Sequence, residues 1–240
     1  MSDLLVHPHA PDAQGRILDV TPQSAGWTYV GFAVHKLAAG QSFSLPTGNR
    51  EFCLVFLSGT AKVGAGDIDF GDIGGRANPF EGNGHAVYVP ANSTIRVAAT
   101  SPLEIALCSA PATGTLPARH ITPDQVGHEE RGQGTNRRFV RDILMGGKPA
   151  ESLLVVEVIT PAGNWSSYPP HKHDRDAIPE ESQLEETYYH RLNPPQGFGF
   201  QRVYTDDRSL DETMSFADGD CVLVPRGYHP VGAPHGYDLY

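Results

Sequence analysis

The chain has 240 residues, of which 39% are hydrophobic and 19% are charged, and its formal net charge is −10. This composition is typical of a globular protein with a sizeable core, and the acidic balance argues against non-specific binding to nucleic acid. No apolar run reaches the roughly 18 residues that a membrane span requires. We therefore expect neither a nucleic-acid partner nor a membrane partner.

The three cysteines, Cys53, Cys108 and Cys221, are far apart in apolar stretches, and no C-x-x-C motif is present. An odd number of isolated cysteines is typical of a reducing compartment, and the N-terminus has no hydrophobic signal segment. The sequence predicts a cytoplasmic protein whose thiols are small buried hydrophobic groups.

The first half of the chain predicts a series of short strands. After a mixed N-terminal arm, the first strand is expected around Arg16–Val20, and the strand signals become dense from Trp27 onwards. Segments rich in β-branched and aromatic residues alternate with turn residues about every ten positions, which indicates an antiparallel sandwich or barrel. The candidate strands are TYVGFAVHKL, EFCLVFLSGTAKV, HAVYVP, STIRVAA and LEIALCSA.

A second series of strands follows a connection rich in Pro, Gly and Thr at residues 111–136. Its candidates are NRRFVRDIL, SLLVVEVITPAG, LEETYYHRL, FGFQRVYTD and CVLVPRGYHPV. No longer segment has a 3.6-residue period, so helices should be few and short. We predict an all-β protein with two domains, 1–115 and 116–240.

The two halves share a sequence frame. GHAVYVP at 84–90 and GDCVLVP at 219–225 both read G-x-x-V-x-V-P, at an offset of 135 residues. A frame repeated once predicts two tandem copies of one β unit. The same offset aligns Glu51 with Glu186.

Only the second copy has residues that could hold a metal. His171 and His173 stand two residues apart, so on a strand both would point to the same face. A carboxylate and His229 from neighbouring strands would complete a site with three imidazole nitrogens and one carboxylate oxygen. Glu186 is the preferred carboxylate because it aligns with Glu51, and Glu185 is the second candidate.

The first copy has no such set, because Gly48, Arg50 and Thr94 stand where the second copy has His171, His173 and His229. We therefore predict a structural first domain without metal ligands and an active second domain.

The runs GNWSSYPPHKHD, LEETYYHRLNPPQGFGFQRVYTDD and GDCVLVPRGYHPV carry a resemblance that extends over nearly the whole chain. They resemble the bicupin 5-deoxy-glucuronate isomerases of myo-inositol catabolism, which are related to the hexosulose-uronate ketol-isomerases. The resemblance implies two tandem cupin barrels of the jelly-roll type and supports His171, His173, Glu186 and His229 as the metal ligands. Residues 174–185 read as an insertion in the motif, and we expect them to form a loop at the mouth of the site.

The resemblance also implies an activity, the aldose–ketose isomerisation of 5-deoxy-glucuronate to 5-dehydro-2-deoxy-gluconate. This chemistry uses a divalent transition metal as a Lewis acid. Imidazole and carboxylate ligands suit several such metals. Zinc is expected first, and manganese, iron, cobalt and nickel are alternatives.

A proton-transfer group and a cation for the substrate carboxylate should complete the site. The candidates for the base are Glu185, Tyr188 and His190. The candidates for binding the small sugar-acid substrate are Arg202, Arg226 and Gln201.

Two other functions remain open from the sequence. A metal-dependent cupin dioxygenase would use the same ligands with an apolar pocket, and a non-enzymatic sugar-binding or storage bicupin would have a closed structural metal site. Exposed edges of two β units also favour a homo-oligomer.

Overall fold

Short strands make up most of the regular structure in the computed structural model, which describes residues 2–145 and 147–240. The strands are β1 Leu5–Val6, β2 Arg16–Val20, β3 Gly31–Leu37, β4 Ser42–Pro46, β5 Arg50–Ser58, β6 Thr60–Ala65, β7 Ile68–Gly74, β8 Ala86–Val89, β9 Thr94–Ala99, β10 Leu103–Pro111, β11 Arg119–Ile121, β12 Gly127–Arg131, β13 Arg138–Leu144, β14 Val155–Ile159, β15 Trp165–Ser166, β16 Glu186–Tyr189, β17 Leu192–Asn193, β18 Gly199–Tyr204, β19 Asp211–Phe216, β20 Cys221–Val224, β21 Val231–Gly232 and β22 Asp238–Leu239.

Helices are few and short within the described residues, as the sequence predicted. They are α1 at Pro22–Ala25 and a single 3-10 turn at Gly134–Asn136. A capping box between Thr21 and Ser24 begins α1, and Gly26 ends it in the left-handed conformation at φ 69°. In the part of the chain that the structure describes, no helix is long and apolar enough to span a membrane.

The chain divides into two compact units. The first unit contains His9–Gly127 and Arg141–Glu157, and the second contains the residues up to Pro8, His128–Val140 and Val158–Tyr240. The predicted boundary at 115/116 differs from this division because the N-terminal segment lies in the second unit and residues 141–157 lie in the first.

The first unit contains a six-stranded sheet, β11-β8-β5-β10-β3-β2, and a four-stranded sheet, β4-β9-β6-β7. Alternate residues of both sheets enter one apolar cluster, as period-2 side-chain alternation requires. Leu54, Val87 and Ile105 enter it from the larger sheet, and Val63 and Val97 enter it from the smaller one. This arrangement is the predicted antiparallel sandwich.

The strand register corrects the alignment of Glu51 with Glu186. Phe52 lies opposite Val89 in the first unit, and Glu186 lies opposite Val224 in the second. Because Val89 and Val224 hold the same place in the repeated frame, Phe52 is the structural counterpart of Glu186. A slip of one residue moves a side chain to the other face of a sheet. Glu51 therefore faces away from the cluster that Phe52 packs against.

The second unit contains the sheets β1-β20-β16, β15-β21-β18-β19 and β17-β22. Its apolar cluster includes Val203, Phe216, Val222, Val224 and Val231, with Tyr188 packed against it. Inward-facing positions of β16, β18 and β20 are therefore fixed by the packing of these strands. The candidate site lies among the side chains on this inner face.

The N-terminus supplies a strand that the sequence did not predict. Leu5 and Val6 pair with Val222 and Cys221, so β1 extends the sheet that carries Glu186. His7 continues this contact, with its Nδ1 2.8 Å from Oδ1 of Asp220. Two residues are too few to show a strand period, which explains why the sequence indicated only an arm.

Candidate metal centre

The segment with His171 and His173 is not a strand, contrary to the prediction. It lies between β15 and β16, where the described chain forms no strand apart from an isolated bridge of Ala177 with Glu181. Pro169 and Pro170 precede the histidines and lack the N–H groups that a sheet needs. The two imidazoles nevertheless lie together, with ring centroids 5.0 Å apart and planes at 79°.

His229 joins them from the loop that follows β20. Its side chain is fully buried, and its ring centroid lies 4.7 Å from that of His171 and 5.7 Å from that of His173. Its Nδ1–H donates to the carbonyl of Gly227 at 2.9 Å. This hydrogen bond leaves Nε2 with its lone pair free, which is the usual way in which a metal-binding histidine is oriented.

Glu186 reaches the same point from the first position of β16. Its Oε1 lies 3.4 Å from Nε2 of His173 and 3.6 Å from Nε2 of His229. Within the described residues, Glu186 Oε1 and His229 Nε2 are buried and have no hydrogen-bond partner. Buried polar atoms without partners are rare because each costs free energy, so these two are candidate ligand atoms for a metal ion.

A metal ion fits this set of atoms. One ligand nitrogen each from His171, His173 and His229 lies within 4.8 Å of the others. Metal–nitrogen and metal–oxygen bonds of about 2.0–2.2 Å place neighbouring ligand atoms roughly 3.0–3.5 Å apart. The distances from Glu186 match that spacing closely. Burial and the two neighbouring imidazoles also lower the pKa of His171, which favours the neutral form that binds a metal.

Tyr188 faces the same side as Glu186, as period 2 requires. Its hydroxyl lies 3.0 Å from Oγ of Ser167, and its ring centroid lies 5.7 Å from that of His229. Burial, and next the Glu186 charge, raise the pKa of Tyr188 well above its usual value. The tyrosine is therefore a neutral hydroxyl at physiological pH and can donate a hydrogen bond beside the histidines.

His190 is held away from solvent by packing and by one hydrogen bond. Its ring stacks on Phe216 with centroids 3.6 Å apart, and its Nε2 lies 3.0 Å from Oε1 of Gln201. Gln201 is fully buried and donates in turn to the carbonyl of His229 at 3.5 Å. His190 and Gln201 thus support the backbone of His229 and form part of the packed interior.

Burial lowers the pKa of His190 to about 4, so protonation of this residue should destabilise the fold. The unfolded chain binds a proton near the ordinary value of about 6.5, before the folded protein does. Stability from this residue is therefore complete above pH 6.5 and is lost as pH falls towards 4, by about 3 kcal/mol in total.

We expect the free energy of unfolding in urea to fall less steeply between pH 6.5 and 4.5 in His190→Gln than in the wild type. Both proteins should be measured without metal, so that the ligand histidines contribute equally. Identical pH slopes in the two proteins would contradict this role of burial.

The two predicted carboxylate-binding arginines lie away from the histidines. Arg202 follows Gln201 on β18 and faces outward, where its Nε and Nη2 each donate to Asp211 at 2.8 Å. Arg226 is exposed, and its Nη2 donates to Oγ of Ser209 at 3.4 Å. Period-2 alternation places Arg202 on the face opposite Gln201, so the structure does not bring it to the site.

The insertion at residues 174–185 is attached to the loop of His229 by a contact that the sequence did not reveal. Oδ1 of Asp174 accepts a hydrogen bond of 2.6 Å from the N–H of Gly227. Gly227 is also the residue whose carbonyl orients His229, so the two successive peptide groups that Gly227 joins are both held by side chains. Lys172, which stands between the two histidines in the sequence, pairs with Asp206.

Solved structures of low sequence identity share this fold. The oxalate decarboxylase of Lactobacillus farciminis superposes with a TM-score of 0.68 at 14% identity, covering 100% of this chain and 85% of that chain. This similarity concerns the fold alone, and it agrees with the two tandem jelly-roll barrels of the cupin type that the sequence predicted.

Closer relatives identify the family. The model of the KduI/IolB family matches residues 4–240, and the chain belongs to that family. The 5-deoxy-glucuronate isomerase of Geobacillus kaustophilus is 54% identical over 241 residues, covering 100% of this chain and 87% of that protein. An IolB-like protein from Salmonella typhimurium LT2 has a crystal structure with a TM-score of 0.95 and 52% identity, covering 99% of this chain and 90% of that one.

Proposed function

We propose that this protein is a 5-deoxy-glucuronate isomerase that converts its sugar-acid substrate to 5-dehydro-2-deoxy-gluconate. The observation that carries the proposal is the convergence of Glu186 Oε1 and His229 Nε2, both buried and without hydrogen-bond partners in the described chain, beside His171 and His173. The full-length identity to proteins named for this activity supports the choice of reaction.

His171, His173, Glu186 and His229 are the proposed ligands of a divalent transition metal, with zinc as the first choice. Such an ion, when bound, supplies a Lewis acid that polarises the substrate carbonyl. The three imidazoles and one carboxylate suit zinc, manganese, iron, cobalt and nickel. Four protein ligands also leave room for substrate oxygens on an ion that takes five or six ligands.

Tyr188, His190 and Glu185 have separate proposed roles around the metal ligands. The neutral hydroxyl of Tyr188 is placed to donate a hydrogen bond to a substrate oxygen next to His229. His190 is enclosed between Phe216 and Gln201, which makes it a positioning residue. Glu185, directly before β16, stays as the predicted base that removes the C2 proton and returns it at C1.

The test of the proposed function is direct turnover of the sugar acid. Purified protein loaded with zinc is incubated with 5-deoxy-glucuronate, and the proton NMR spectrum is followed. We expect the aldehyde and C2 signals to disappear while ketose signals appear in equal amount. Absence of turnover with each of the five candidate metals would refute the proposal.

The contact of Asp174 with Gly227 predicts an effect on metal binding. Asp174→Ala frees the N–H of Gly227, the residue whose carbonyl fixes the tautomer of His229, and the loss of supporting contacts of this kind costs about 10- to 100-fold in metal affinity. Competition with a fluorescent chelator should show a zinc affinity about tenfold weaker.

Asp176→Ala is the matched control, because Asp176 lies in the same insertion and accepts a hydrogen bond of 3.1 Å from the N–H of Gln183, within the insertion itself. It should keep the zinc affinity of the wild type. Equal affinity in both variants and the wild type would show that the Asp174 contact does not position His229.

A further inference from the structure

Arg138 is a cation of the second unit that binds only neutral groups. It begins β13, and its side chain is partly buried. Its Nη1 donates to the carbonyls of Asn136 at 3.1 Å and Tyr168 at 3.2 Å. Within residues 2–145 and 147–240, its Nε and Nη2 make no hydrogen bond and no carboxylate pairs with it. One edge of its guanidinium is therefore free to bind an anion.

The lack of a carboxylate partner is unusual among the described arginines of the second unit, most of which pair with a carboxylate. The pairs are Arg131 with Glu129, Arg137 with Glu130, Arg175 with Glu181, Arg191 with Asp218, and Arg202 and Arg208 with Asp211. Arg226 has no such pair, but it is exposed on the outer surface. Arg138 thus combines partial burial with a charge that forms no salt bridge among the described residues.

Arg138 also lies beside the segment that carries His171 and His173. The carbonyl that it binds belongs to Tyr168, three residues before His171. The neighbouring Ser167 contacts the hydroxyl of Tyr188, and the Tyr188 ring lies beside His229.

We propose that Arg138 binds the carboxylate of the sugar-acid substrate through Nε and Nη2. The inference rests on the proposed function, because the reacting carbons must lie at the histidines while the carboxylate lies at the far end of the substrate. A guanidinium edge matches a carboxylate with two parallel hydrogen bonds, and a partly buried site strengthens them. Arg138 takes the role that the sequence suggested for Arg202 and Arg226.

The experiment compares the binding and turnover of two ligands by three proteins. Turnover and calorimetric binding of 5-deoxy-glucuronate and of its neutral methyl ester are measured for the wild type, Arg138→Ala and Arg138→Lys. Loss of a charge-assisted pair should raise the KM and the Kd of the acid about 10- to 100-fold in Arg138→Ala. The values for the ester should change by less than about twofold, and lysine should restore part of the affinity for the acid.

Arg137→Ala is the control, because Arg137 is exposed, pairs with Glu130 and lies over the ring of Phe139. It should match the wild type with both ligands. Equal weakening of acid and ester in Arg138→Ala would show that Arg138 only holds Tyr168, and would overturn the inference, as would unchanged binding of the acid. Binding of the acid that depends on Arg138 without turnover in the wild type would support the inference while refuting the proposed isomerase.

Discussion

Replacing His229 should abolish metal binding and isomerisation together. His229 is fully buried, and its Nε2 lies 3.6 Å from Glu186 Oε1 with no hydrogen-bond partner in the described chain. Without this imidazole only three of the four proposed ligands remain. We expect His229→Ala to weaken zinc binding by at least about 100-fold, more than the loss of a supporting contact, and to reduce turnover of 5-deoxy-glucuronate to background.

Two further variants separate this effect from misfolding. His229→Gln keeps most of the side-chain volume but lacks the imidazole, so it should fold and still fail to bind zinc. His235→Ala changes an exposed histidine six residues further along and should behave like the wild type. Elemental analysis and the NMR assay provide the two measurements. A His229→Gln protein that binds a full equivalent of zinc would rule out His229 as a ligand.

The second large effect is expected at Glu51, and it concerns stability. The carboxylate is fully buried and accepts hydrogen bonds from Tyr88 at 2.6 Å and from the N–H groups of Glu151, Ser152 and Leu153 at 2.9, 2.6 and 2.7 Å. Glu51→Gln replaces one acceptor oxygen with a donor that faces these donors. Leaving buried polar groups without partners should reduce the free energy of unfolding by about 3–5 kcal/mol.

Urea unfolding measures this loss, and Tyr88→Phe is its control. The control removes one of the four donors and leaves the carboxylate with three backbone partners, so it should cost only about 1 kcal/mol. A Glu51→Gln protein within about 1 kcal/mol of the wild type would contradict the role assigned to this carboxylate in holding residues 151–153.

Glu51 and Glu186 show how far a repeat can be interpreted from the sequence alone. The shared G-x-x-V-x-V-P frame correctly indicated related strands, because Val87 and Val89 enter one core and Val222 and Val224 enter the other. The offset then failed by one residue at β5, where the register pairs Phe52 with Val89. Sequence spacing does not reveal a slip of one residue. Such a slip nevertheless moves each side chain of the strand to the opposite face of the sheet.

The four candidate metal ligands were also predicted only in part from the sequence. His171, His173, Glu186 and His229 were all chosen from their motifs, and the structure brings their ligand atoms together. The reason given for His171 and His173 was wrong, since a loop after two prolines presents them instead of a strand. The motif indicated these residues but not the backbone conformation that positions them.

The sequence did not indicate the contacts of Asp174 and Arg138. Asp174 accepts a hydrogen bond from the N–H of Gly227, and Arg138 stands 33 positions before His171. Neither has a neighbour in sequence that signals the contact, because the contacts are made by loops that only the fold brings together. Arg202 was chosen because it lies in the FGFQRVYTD strand, and alternation along β18 turns it outward.

The most direct test of the central claim is removal and return of the metal. Protein treated with a chelator and shown by elemental analysis to be metal-free should lose its activity towards 5-deoxy-glucuronate. Adding one equivalent of zinc or another of the candidate metals per chain should restore activity in proportion to the metal bound. Full isomerase activity in the metal-free protein would contradict the claim that His171, His173, Glu186 and His229 hold an ion that the reaction requires.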